Sequence, residues 1–196
     1  MVTIDYVMSL TKLKENILWE GYIMAIEKIN LEKGKAKRNM LAIWVDVQRG
    51  IEAANGAVWE PLGIGTEDAG IAYDYDETTT TDIWDATEAL INTATHSISF
   101  DPYYIKAGDT LQAILIDILN REAWGELSSF KVLVARYYIG KEGNYQAMTY
   151  DACTIKVQSE GGPSYVSMQI DISIGGHKTM GTVNLRPPSI PVFTAV

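Results

Sequence analysis

Asp74 and Asp76, in the run Tyr73-Asp74-Tyr75-Asp76-Glu77-Thr78, are the side chains whose type and spacing come nearest to a reaction centre. Residues two apart on a strand share a face, so both carboxylates would point to one side and suit a common Mg²⁺. In such a DxDxT spacing the first aspartate attacks phosphorus and the second moves a proton. In the enzymes that use this spacing, the pair sits on a parallel α/β frame with helical crossovers, and a further acidic pair follows downstream. Here Gly108-Asp109 leads into a helix instead. The same acids fail as an EF-hand loop, because its sixth position falls on Thr79 and its twelfth on Asp85.

Other chemistry is thinner still. Gly63-Ile64-Gly65 lacks the third glycine of a dinucleotide fingerprint, and no Walker A run occurs. His96 and His177, the only histidines, sit outside any spaced ligand motif. Cys153 lies between Ala152 and Ile155 and reads as a small buried hydrophobe. Five tryptophans and eleven tyrosines could line a sugar-binding face, but aromatics on strands serve mostly as core or subunit contacts. The expectation is a protein that is not an enzyme and needs neither cofactor nor metal. A Mg²⁺-dependent DxDxT phosphatase, similar to the haloacid-dehalogenase-like enzymes, stays open as a lesser alternative.

The elements that must carry these residues belong to a globular chain. It has 196 residues, 47% of them hydrophobic and 21% charged, enough for one domain with a sizeable core. One cysteine excludes an internal disulfide framework, and no apolar run is long enough to span a bilayer. No membrane partner is expected, and synthesis in a cytoplasm is. The charge is uneven. Residues 50–105 carry eleven acids and no lysine or arginine, so this block is −11 in a chain of −9 and the remainder is +2. Such a block repels nucleic acid rather than holding it.

Along the chain, Leu41 to Val47 predicts an apolar strand, and Val58 to Ile64 a short one that Pro61 marks as an edge or a bulge. A strand starting at Ile71 turns Tyr73 and Tyr75 to one side and Asp74, Asp76, Thr78, Thr80 and Asp82 to the other. Thr78 to Thr81 favour extended backbone. Ser97 to Phe100 predicts a short strand stopped by Asp101-Pro102. One helix is expected over about 109–123, with Asp109 and Gln112 as a capping box and Leu111, Ile114, Leu115, Ile118 and Leu119 as its apolar stripe. Gly125 stands beyond its end.

Strands follow over Phe130–Ile139 and Ala147–Val157. The cleanest alternation sets Val166, Met168, Ile170, Ile172 and Ile174 inward. Gly175-Gly176 predicts a hairpin whose return is Thr182 to Leu185. The expected class is mainly β: an antiparallel sandwich or barrel with one flanking helix. Its parts are an N-terminal arm over 1–39, a β domain over 40–185 and an extended tail over 186–196. The arm is basic through Lys33, Lys35, Lys37 and Arg38. Trp19-Glu20-Gly21 can be encoded as a purine-rich ribosome-binding sequence ahead of Met24. Translation is therefore expected to start at Met24, with residues 1–23 an upstream artefact, the alternative being a genuine N-terminal helix.

The order of elements over residues 40–185 resembles the major tail tube proteins of long-tailed bacteriophages. Three regions carry the resemblance: the acidic, threonine-rich strand Tyr73 to Asp82, the block Ser97 to Pro102 ahead of a capped helix, and Ile170 to Gly176 followed by Gly181-Thr182-Val183. It implies a structural subunit that joins its sheets into hexameric rings, which stack into a tube of the virion tail. Tape-measure, tail-terminator and distal-tail or baseplate proteins would be partners, and double-stranded DNA would pass an acidic lumen without binding. Asp74, Asp76, Glu77 and Asp82 are the candidate lumen or inter-ring acids, with the basic arm as their counterpart. A monomeric β-barrel module binding carbohydrate or peptide is the main rival.

Overall fold

A computed structural model describes residues 29, 31, 34–49, 56–64, 66–187 and 189–196. The Met24 start and Lys33 lie outside the described residues. Among those described are nine strands and one α-helix: β1 (Leu41–Asp46), β2 (Trp59–Leu62), β3 (Thr66–Thr81), β4 (Thr87–Tyr104), α1 (Thr110–Asn120), β5 (Phe130–Lys141), β6 (Asn144–Gly161), β7 (Ser167–Ile174), β8 (Lys178–Val183) and β9 (Phe193–Ala195). All strand pairing among them is antiparallel. The mainly β expectation holds, and the parallel sheet of the enzymes that use the DxDxT spacing does not occur among the described residues.

The long strand β6 joins two sheets. Its first part, Asn144 to Cys153, lies between β5 and β8, in a sheet ordered β2-β1-β5-β6-β8-β9. Its second part, Thr154 to Gly161, pairs with β7, in a sheet ordered β6-β7-β4-β3. The main core fills the space between them, with Val45, Val132 and Met148 from the first sheet meeting Ile98, Phe100, Ile155 and Ile172 from the second. The first sheet is buried on its other face as well, where Trp44, Leu133, Tyr137 and Ala147 cluster. This two-sided burial is why Leu41 to Val47 reads as a continuous apolar run rather than an alternating one.

α1 closes the core by burying Leu111, Leu115 and Ile118. Asp109 caps it, accepting from the Gln112 N–H at 2.9 Å. The reciprocal half of the capping box is not made. Gln112 is buried, and its amide instead bridges the preceding loop, donating to the Tyr104 carbonyl and accepting from the Lys106 N–H, both at 2.8 Å. Burial, then the 2.6 Å bond that the Tyr103 hydroxyl donates to Asp109, push the pKa of that hydroxyl well above its usual value. The helix ends at Asn120, not near 123. Glu122 at φ 53, rather than Gly125, turns the chain.

Four further expectations are corrected. The segment around Ser97–Phe100 is no short strand: β4 runs eighteen residues, crosses Asp101-Pro102 with an irregularity between Phe100 and Tyr103, and pairs with nearly all of β3. Val166 is exposed and lies before β7, although Met168, Ile170 and Ile172 are buried as expected. Gly175-Gly176 does not open a hairpin, because β7 and β8 never pair. Both run antiparallel to β6, one along each part of it, so the chain changes sheet at these glycines and keeps its direction. Last, the stretch read as an extended tail returns as the edge strand β9 on β8.

Candidate functional site

β3 and β4 form a hairpin that outgrows its sheet. β4 is bonded to β7 only from His96 to Tyr104, so beyond His96 the two strands pair solely with each other. At the usual rise, the free length Tyr73–Thr81 makes a ribbon about 30 Å long. Every residue from Ala72 to Thr95 is exposed. A two-stranded ribbon is marginal by itself in water, so local side-chain chemistry must hold it straight.

That chemistry is visible. At the base, Tyr73 stacks edge-on with His96 at 4.8 Å and accepts a hydrogen bond from Arg136 at 3.2 Å. Midway, the register slips between Asp76 and Glu77, leaving Asn92 as the extra residue. The Asn92 amide donates to Thr78 at 2.7 Å and to Asp76 at 3.4 Å. At the tip, the Asp82 carboxylate accepts from the Trp84 and Ala86 N–H groups at 2.8 and 3.0 Å, an Asx turn that closes the hairpin.

The predicted acids are all on this ribbon, but not on one face. Asp74 and Asp76 share a face, Glu77 lies on the opposite one, and Asp82 is in the turn. With Asp85 and Glu88 the ribbon carries six acids and no lysine or arginine. None of the four predicted acids forms an ion pair among the described residues, whose salt bridges join Arg49, Arg121, Asp117 and Glu126. Lys35, Lys37 and Arg38 are exposed ahead of β1. Among the described residues, then, none of these acids is ion-paired with the basic arm.

The face of Asp74 and Asp76 continues into the polar side of the second sheet. Asp171 on β7 accepts from the Ser99 hydroxyl at 2.6 Å and the Gln158 amide at 2.9 Å, and Lys156 lies across from it on β6. The opposite side of this sheet is the apolar core. One wall is dry and packed, the other wet and studded with acid and hydroxyl groups.

Sequence reasoning missed the apolar part of the ribbon. Ile83 is 91% and Trp84 83% exposed at the tip, and Leu90 and Ile91 are exposed on the stem. The signal was present: a tryptophan set between Asp82 and Asp85 in a turn has no core to reach. At His177 it is the backbone N–H that is engaged, donating to the Asp151 carboxylate at 2.6 Å. Cys153 is buried, which pushes its thiol pKa up and suits the packing role expected of it.

Two sheets sharing one long strand, one flanking helix and one overlong acidic hairpin define a tail-tube-like fold. A subunit from the tail of an empty gene transfer agent particle, refined with C6 symmetry, matches at a TM-score of 0.53 and 15% identity, over 74% of this chain and 98% of that one. The SPP1 tail tube matches at a TM-score of 0.52 and 15% identity, over 74% of this chain and 78% of that one. The resemblance drawn from the sequence thus holds at the level of fold. No protein-family model matches the chain, and no curated protein matches it in sequence.

Proposed function

We propose that this chain is the structural, non-enzymatic subunit of a phage-type tail tube, assembled in the host cytoplasm and carried in the virion tail. The observation that carries the reading is the exposed ribbon over Ala72–Thr95 on a tail-tube-like fold. A long apolar-and-acidic hairpin is a liability to a free monomer and an asset to a subunit that buries it. Hexameric rings, as the C6 symmetry of the gene transfer agent tail suggests, would pair the open sheet edges at β2, β9 and β3 with neighbouring copies.

In this reading the polar face of the second sheet lines the channel. Asp74, Asp76 and Asp171 repel phosphate there, so double-stranded DNA passes without being held. Glu77 and Asp82 face other subunits instead, where Lys33, Lys35, Lys37 and Arg38 of another ring can meet them. Tape-measure, tail-terminator and distal-tail or baseplate proteins are the partners that such a tube requires. Reversing both charges with Asp74→Lys and Asp76→Lys tests the lumen. Tubes should still form but should retain DNA in a salt-dependent way, and reversed tubes that ignore DNA would refute the lumen assignment.

A further inference from the structure

The tip of the ribbon and a cleft at the other sheet have opposite and matching characters. The cleft, of about 500 Å³, lies where the start of β1, the end of β2 and the chain after β8 meet. Its walls include Met40, Leu62 and Ile64, and its rim carries Arg38 and Arg186, with no acid among the described lining residues. Among the described residues neither arginine meets a carboxylate: Arg38 donates to the Leu41 carbonyl, and Arg186 lies over the Tyr145 ring. Tyr137 also lines the cleft. It is 2% exposed, and its hydroxyl faces the buried Trp44 indole.

An apolar cleft edged by two guanidinium groups that meet no carboxylate among the described residues suits an apolar group flanked by carboxylates. The ribbon tip is such a group: Ile83-Trp84 between Asp82 and Asp85, all exposed. It stands at the end of a ribbon about 30 Å long that projects from the other sheet. We propose that the cleft receives the Ile83-Trp84 tip of a second copy of this chain, with Trp84 in the apolar slot and the flanking acids toward Arg38 and Arg186. This rests on the tail-tube reading only in needing self-assembly, and it names the surface by which one copy recognises the next. It also makes the acid–base match between copies specific, since a charged arm alone would accept any acidic partner.

Mixed cysteine variants test it. Ile83→Cys in one copy and Ile64→Cys in another leave Trp84 in place, and the native Cys153 is buried and does not compete. Under mild oxidation the mixture should give crosslinked dimers, and adding Trp84→Ala or Arg186→Glu should cut the yield about tenfold while circular dichroism stays unchanged. Tubes that form without this crosslink, or a crosslink indifferent to both changes, would overturn the cleft assignment and leave the tail-tube reading standing. A chain that stays monomeric in every condition would overturn both.

Discussion

Glu60, on the edge strand β2, reaches across to the start of α1 and accepts from the backbone N–H groups of Thr110 at 3.0 Å and Leu111 at 3.1 Å. A carboxylate on the first turn satisfies two donors that no helical carbonyl can reach and meets the positive end of the helix dipole. One of the eleven acids of the block thus works in folding rather than in assembly. Glu60→Ala should cost about 1 kcal/mol, and Glu60→Gln less, because the amide oxygen still accepts. Urea unfolding checks this through the midpoint at constant slope.

Gly176 sits at φ 77 where the chain crosses between sheets, packed against the Asp151 carboxylate and the backbone of Ala152. A Cβ there would collide with both, in a backbone region that side chains disfavour. Gly176→Ala should destabilise by more than about 1 kcal/mol, whereas Gly34→Ala, at φ 85 in open space, should cost only the backbone strain. Thermal melts of the two variants side by side make the comparison.

Glu126 lies between Arg121, at 2.9 and 3.1 Å, and Arg49, at 2.7 Å. The bonds from Arg121 first and Arg49 second hold its pKa near 2, below the usual 4.5. A carboxylate whose pKa is depressed by folding stabilises fully above 4.5, and that contribution is lost as pH falls toward 2. The melting temperature should therefore fall more steeply across this interval in the wild type than in Glu126→Gln. High salt should narrow the difference, since Arg121 is exposed and Arg49 and Glu126 are only half-buried.

What could be read in the chain depended on whether local signals determine the outcome. α1 was legible because Asp109 and an i, i+3, i+4 stripe act within one element. β7 was legible because strict alternation reports a face against a core. The outer half of β4 was not, since Glu88-Ala89-Leu90 has no core to alternate against. The route of β8 was hidden for a different reason: Gly175-Gly176 marks a sharp change of path but says nothing about which strand is rejoined. β9 was obscured by the prolines before it. As for the site, the acid block was plain in the composition. Its splitting between two faces of one ribbon, with Ile83 and Trp84 at the tip, depends on a pairing register that no short window contains.

Electron microscopy of the purified protein across a concentration series shows whether the chain builds a tube. Rings and hollow tubes of six-fold symmetry should appear and grow with concentration. A single monomeric species at every concentration, with the ribbon free in solution, would contradict the tail-tube reading.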